Sequence, residues 1–343
     1  MDPHLTRLPV LLALGLLASC SPVTALDLTL VADPNINAET TLVAKLASLQ
    51  VAISDGQDRL ETPVDMTDLG HLPLIRVEQG AASKLPLDFA IDGIGADDKT
   101  GQQVKLAAGG AEGYYFSEGE VVSVNVPFNL RALYLPPRVT SVYPEDGETQ
   151  QAHLVGNVLL VFSKAMSPDS LVNTGVIRVL RVEGSQETPV PAREIVLGEL
   201  SSGGPTTASY VFTAALEEGS YGVRVSQGAL DTSGRPLDQV PMLAGNQPFA
   251  SQFKVGAQTS TAMACPGTCE SLWCGNGGEA CPTGLKCDKA AGSCVPDRCP
   301  KTCPVATVCD PALTACVMDC RPYGTHGGCD SGTCSAETGL CTP

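Results

Sequence analysis

Fourteen of the fifteen cysteines in this chain fall within its last 79 residues, and none lies between Cys20 and Cys265. That distribution divides the chain into a body that must fold around an apolar core and a tail that cannot. Too few apolar residues separate the tail cysteines to bury a core, so cross-links must hold that part together. A leading pair, Cys265 and Cys269, is followed by three quartets: Cys274, Cys281, Cys287, Cys294; Cys299, Cys303, Cys309, Cys316; and Cys320, Cys329, Cys334, Cys341. In each quartet the last gap is six residues and the gap before it four or five, an internal repeat of about 22–25 residues. Cys281-Pro282-Thr283-Gly284 and Cys303-Pro304-Val305, followed by Cys287-Asp288 and Cys309-Asp310, reinforce the alignment.

Within a quartet three pairings exist. Crossed pairing, first to third and second to fourth, ties both halves of a repeat together and closes longer loops, which stabilises more in the chain-entropy model. It is the expected pattern: Cys274–Cys287 with Cys281–Cys294, Cys299–Cys309 with Cys303–Cys316, and Cys320–Cys334 with Cys329–Cys341. Cys265 and Cys269 then join each other, and nested pairing within a quartet stays open. Zinc is the competing fate. Three C-x₃-C pairs have suitable spacing, but there is no C-x₂-C and only His326 stands nearby, so disulfides are expected, with no metal and no cofactor.

The fifteenth cysteine has a different setting. An apolar run from Leu8 to Ala18 follows Arg7 and ends in small residues, the marks of a secretory signal too short to span a bilayer as a helix. Leu17-Ala18-Ser19-Cys20 resembles the bacterial lipobox, whose cysteine carries a diacylglycerol thioether and becomes the first residue of the mature chain. The resemblance implies lipidation at Cys20 and removal of residues 1–19. An odd cysteine in an exported chain needs a separate fate, and acylation supplies one. Acyl chains at about 0.8 kcal/mol per buried CH₂ hold a body on a membrane without a spanning helix. Ser21 in place of Asp implies sorting to the outer membrane or cell surface.

A formal net charge of −16, with no cluster of Lys or Arg, argues against nucleic acid or anionic headgroups as partners. With 35 Gly and 26 Pro punctuating short apolar runs, the body reads as all-β: two tandem β-sandwich (Ig-like) domains followed by a small disulfide-rich tail. The first sandwich spans 20–136. Leu26, Leu28 and Leu30 alternate as on a half-buried strand. A short helix or loop precedes a strand near 49–54, and further strands are expected at 72–78, 85–91, 102–107 and 119–127. Asp55-Gly56, Asp92-Gly93 and Gly109-Gly110 read as hairpin turns. The start Val31-Ala32-Asp33-Pro34-Asn35-Ile36-Asn37 and the end Val126-Pro127-Phe128-Asn129-Leu130-Arg131 resemble the first domain of some Gram-negative lipoproteins.

The second domain spans 137–256 and is the best patterned. Val139 opens a strand that closes at Tyr143-Pro144. Val158 to Phe162 is continuously apolar, as for a strand buried on both sides. Tyr221, Val223 and Val225 point inward while Gly222, Arg224 and Ser226 point out. Pro137-Arg138-Val139, Pro144-Glu145-Asp146-Gly147, Phe162-Ser163-Lys164-Ala165-Met166 and Asp231-Thr232-Ser233-Gly234-Arg235-Pro236-Leu237 resemble, in order, the signatures of bacterial Ig-like domains of the SbsA type, first known from surface-layer proteins. Arg235 stands where that family often has Asn. The resemblance implies a spacer or adhesion module with no catalytic residues. A linker, 257–264, leads into the cysteine-rich region, 265–343.

Catalytic motifs find little support. Ser251-Gln252-Phe253-Lys254 is an S-x-x-K, but that motif needs a helix, and on a strand an offset of three sends the side chains to opposite faces. G-x-S-x-G, H-E-x-x-H and the P-loop are absent. His71, His153 and His326 lie one per segment. Asp92-Gly93-Ile94-Gly95-Ala96-Asp97-Asp98 offers carboxylates for Ca²⁺ but fails the EF-hand pattern. Trp273 reads as packing rather than sugar stacking. The expected function is therefore non-enzymatic: a lipid-anchored surface lipoprotein whose Ig-like spacer presents the cysteine-rich tail to an extracellular protein or matrix ligand. The alternatives are a module that tethers or regulates a secreted enzyme, and an enzyme with an unrecognised site in the N-terminal domain.

Overall fold

A computed structural model describes residues 23–257, except 57, 68, 80–84, 152–154, 201–203, 214–215 and 242. In the cysteine-rich region it describes 285–288, 293–296, 299, 303, 306–311, 315–323, 329 and 333–342. The chain divides after Leu135 and after Met318 into two compact units. The first joins the N-terminal segment to the residues from Asp319 onward, and the second runs Pro136–Met318.

Unit one is a seven-stranded sheet in the order β3-β2-β5-β6-β7-β1-β4. Its strands are β1 (Ala25–Val31), β2 (Ser48–Ser54), β3 (Arg59–Asp65), β4 (Leu74–Glu78), β5 (Leu87–Ala96), β6 (Gln103–Tyr114) and β7 (Val121–Leu130), with α1 (Glu39–Lys45) between β1 and β2. The expected alternation is present: Leu26, Leu28 and Leu30 are buried, while Thr29 and Val31 are exposed. A seven-residue helix cannot cover the buried face of seven strands, so the sheet must fold over on itself. β7 links the two parts of the sheet. Its first seven residues pair in parallel with β1, Ala25 opposite Val121 through Val31 opposite Pro127, and its last three pair with Ala107–Gly109 of β6.

Two of the expected turns are strand interiors. Asp92-Gly93 lies within β5 and Gly109-Gly110 within β6, and only Asp55-Gly56 turns the chain, with Gly56 at φ 82°. The physical reason is close approach: a Cβ on Gly93 would meet the side chains of Leu46, Ala107 and Phe128 at 2.7–2.9 Å, and elsewhere the neighbour is backbone. A Cβ on Gly95 would lie 2.0 Å from the carbonyl oxygen of Lys45, and one on Gly109 2.0 Å from that of Pro127. Glycine here admits a neighbouring main chain rather than a turn. β3 was not foreseen. It is an edge strand, half exposed along its length, with Pro63 at its fifth residue.

Unit two is a two-sheet sandwich. One sheet has the order β13-β14-β10-β8 and the other β12-β11-β15-β16-β9. The strands are β8 (Val139–Tyr143), β9 (Thr149–Gln151), β10 (Asn157–Phe162), β11 (Ile177–Glu183), β12 (Gln186–Val190), β13 (Ala192–Glu199), β14 (Thr206–Phe212), β15 (Gly219–Val225) and β16 (Phe249–Gly256), with α2 (Pro168–Val172) after β10. Val158, Leu160 and Phe162 of β10 join Val139, Tyr210, Phe212, Tyr221, Val223, Val225, Phe253 and Val255 in one core. Leu159 and Val161, on the opposite phase, are also buried, as the continuous apolar run implies. Tyr221 stacks on Phe253 at 5.6 Å. β12, at an edge, carries Pro189 at its fourth residue.

The tail is a series of two-stranded hairpins: β17 (Leu285–Asp288) with β18 (Ser293–Pro296), β19 (Thr307–Asp310) with β20 (Ala315–Met318), and β21 (Thr333–Cys334) with β22 (Cys341–Thr342). Among the described residues, four bridges close it: Cys299–Cys309, Cys303–Cys316, Cys320–Cys334 and Cys329–Cys341, with Cα separations of 5.6–5.8 Å. In both quartets the pairing is crossed. β20 lies against β8, the edge strand of the first sheet of unit two.

Candidate functional site

Cys20, Cys265, Cys269, Cys274, Cys281, His153, Trp273 and His326 lie outside the described residues, and of Cys287 and Cys294 only the backbone is described. The remaining candidates are dispersed. Ser251 is buried on β16 and its Oγ donates to Asp146 Oδ1 at 3.1 Å, while Lys254 points outward on the opposite phase. The pair that S-x-x-K chemistry requires is therefore not formed. His71 Nδ1 lies 2.9 Å from the carbonyl oxygen of Leu72.

The carboxylates of 92–98 do not converge on a cation. Asp92 pairs with Lys105 at 2.6 Å and Asp98 with Lys45 at 2.8 Å. Asp97 accepts from the amides of Lys99 and Thr100 and from the Thr100 hydroxyl. The sulfurs of Cys320, Cys329 and Cys341 do lie within 4.8 Å of one another, because two bridges run side by side. Disulfide sulfurs offer no thiolate, and thiolate is the form of cysteine that ligates metal.

Two polar constellations are built with more care. The first is the Asp231 turn in unit two. Asp231, 2% exposed, accepts at Oδ1 from the amides of Ser233 and Arg235, both at 2.8 Å. Its Oδ2 faces Lys164 Nζ at 3.4 Å and Arg235 Nη1 at 3.7 Å. Two amides and two cations compensate one buried carboxylate, which suits a lock between the β10 end and the 231–237 turn. Arg235 is one of those cations.

The second constellation joins the last cysteine repeat to the first domain, within unit one. Asn129, fully buried near the end of β7, accepts at Oδ1 from the amide of Asp33 at 2.7 Å and donates from Nδ2 to the carbonyl oxygen of Pro322 at 2.8 Å. Next to it, the Leu130 carbonyl accepts from the hydroxyl of Tyr323 at 2.7 Å, and the Leu130 amide donates to Asn37 Oδ1 at 2.9 Å. Tyr323 is 1% exposed. The 3-10 turn that carries it, Arg321–Tyr323, is shaped by Asp319, which accepts from the Arg321 amide and forks onto its guanidinium at 2.6–3.0 Å. The hydrogen bond to Asp319 raises the pKa of Arg321.

Sequence reasoning missed this docking. A signal was present: the first gap of the last quartet, Cys320 to Cys329, holds eight residues against three in the quartet before it, and Pro322 and Tyr323 lie in that longer loop. A charge-free tyrosine beside a cysteine gives no pattern from which to read a partner almost two hundred residues away. Both constellations hold backbone in place, and neither aligns a nucleophile with a base.

Residues 135–253 match the family model of the bacterial Ig-like domain. The Ig-like domain so defined takes in the sandwich of unit two up to the middle of β16, together with the Asp231 turn, and covers less than half of the chain. No curated protein matches the chain. Among solved structures, the N-terminal part of the bacterial S-layer protein SbsC is similar at 18% identity over 36% of this chain and 24% of that one, with a TM-score of 0.25. The fimbrial anchor protein Mfa2 from Porphyromonas gingivalis is similar at 9% identity over 63% of this chain and 80% of that one, with a TM-score of 0.22. The chain thus spans about a quarter of the first of these, and at such TM-scores the argument for function rests on this chain's own residues.

Proposed function

We propose that this is an exported, lipid-anchored surface protein without enzymatic activity. Acyl chains on Cys20 hold it on a membrane, at the outer membrane or cell surface. The first domain seats the chain there, the Ig-like domain is a spacer, and the cysteine-rich repeats engage an extracellular protein or matrix ligand. The observation that carries the reading is the set of crossed disulfides in repeats that have almost no core of their own. Such bridges persist only in oxidising compartments, which supports export. The tail holds an even number of cysteines, fourteen, and pairing them all would leave Cys20 over for a different chemistry.

The test is fractionation of cells that express the full chain and its Cys20→Ser variant, in detergent-free buffer. The wild-type chain should sediment with membrane and the variant should be released. Retention of the variant with the membrane would remove the lipid anchor from the reading. Protease added to intact cells should cut the repeats if they face outward, and their full protection would remove the surface location.

A further inference from the structure

Unit one is made of two stretches separated by the whole of unit two, since the chain leaves it after Leu135 and re-enters at Asp319. What joins the stretches is the docking of Pro322 and Tyr323 on Asn129 and Leu130. We infer that the last repeat is a clasp that removes the Ig-like domain from the path of force between the two ends of the chain.

The covalent route supports this. Tension on the C-terminus enters at Cys341 and passes through the bridge to Cys329 and the backbone to Cys334, which is bridged to Cys320. Cys320 directly precedes the docking turn, and its amide is held by the Gly339 carbonyl at 3.0 Å. The repeat therefore cannot unravel while its bridges are intact, and its contact with β7 is the element that yields first. From Leu130 the force enters the end of β7. Tension on the other end of the chain enters at Ala25, the start of β1. β1 and β7 are parallel and in register over seven residue pairs. Pulling the start of one against the end of the other shears the ladder, so its hydrogen bonds resist together and none opens alone. Without the clasp, force still reaches β7 from the same end, through Leu135, but only by way of unit two, first across the contact of β20 with β8 and then, once that contact opens, through the sandwich. The clasp thus decides one thing: whether the Ig-like domain is in line. It does so whether or not Cys20 is acylated.

The experiment is single-molecule pulling on the oxidised mature chain, held at its two ends, for the wild type and for Tyr323→Ala and Tyr323→Phe. In the wild type a first release step, the clasp giving way, should precede unfolding of the Ig-like domain. Tyr323→Ala should lack that step and be longer at low force. Tyr323→Phe keeps the ring but loses the bond to the Leu130 carbonyl, and should release at lower force. Hydrogen exchange gives a second readout on the folded chain: the amides of Leu130 and Arg131 should exchange at least about tenfold faster in Tyr323→Ala. Wild-type unfolding of the Ig-like domain with no prior step, or identical traces and identical exchange for wild type and Tyr323→Ala, would overturn the clasp.

Discussion

Cys309 stands directly opposite Cys316 across the β19–β20 hairpin, yet the two are not bonded to each other. Each reaches back to an earlier cysteine, Cys309 to Cys299 and Cys316 to Cys303. Cys334 and Cys341 repeat the arrangement across β21 and β22. The six-residue last gap makes a hairpin whose two cysteines leave on one face, and the two preceding cysteines are drawn onto it.

The first quartet has the same gap, and its backbone places Cys287 opposite Cys294. Its bridges are therefore expected to be Cys274–Cys287 and Cys281–Cys294, with Cys265 joined to Cys269. Peptide mapping under non-reducing conditions checks this, and a Cys287–Cys294 peptide would contradict it.

A methyl group at Gly95 or Gly109 should be costly. In each case the added Cβ meets a main-chain oxygen at 2.0 Å, and backbone cannot turn aside as a long side chain can. Gly95→Ala and Gly109→Ala should each destabilise the first domain by about 1–3 kcal/mol or more. Gly101→Ala tests the opposite case, because open space surrounds that position and only its φ of 69° opposes the change. It should cost less, about 1 kcal/mol. Urea unfolding of the three variants measures the order.

The Ig-like core gives a second contrast. Phe162 is fully buried on the inward phase of β10, and Phe162→Ala should cost about 3–5 kcal/mol. Arg224 points outward on β15, where it bonds to the Ser251 carbonyl and pairs with Glu187 at 3.0 Å. A partly exposed pair of this kind is worth little, and Arg224→Ala should cost no more than about 1 kcal/mol. Similar losses for both in urea melts would mean that the inward and outward phases are misassigned.

Burial raises the phenol pKa values of Tyr210 and Tyr221. The folded chain then holds those protons more tightly than the unfolded chain does. Their stabilising contribution is complete below the unfolded value of about 10 and is lost as pH rises through the higher folded values. Urea midpoints measured from pH 9 to 12 should fall, and the fall should be shallower in Tyr221→Phe, whose hydroxyl bond to the Glu217 carbonyl is absent.

Local pattern was legible wherever burial alone decides the residue. Tyr221, Val223 and Val225 are buried as their alternation implies, and β8 runs from Val139 to Tyr143 as read. The same glycines that mark turns by composition were misread at Asp92-Gly93 and Gly109-Gly110. Their use depends on which strand passes nearby, which is a property of the folded sheet and not of the dipeptide. β12 was missed for a related reason: its residues are almost all exposed, so no apolar period announces it. Tyr323 is harder still. Its hydroxyl donates to a carbonyl of β7, and a main-chain acceptor leaves no mark on the side chains of its own segment.

The prolines at the sheet edges have a consequence for many copies standing side by side. Pro63 on β3 and Pro189 on β12 each remove an amide donor from a strand that would otherwise offer a full ladder to a neighbour. Where two copies meet along β3 or β12, the missing donor interrupts the ladder, so these two edges resist being zipped into a continuous sheet.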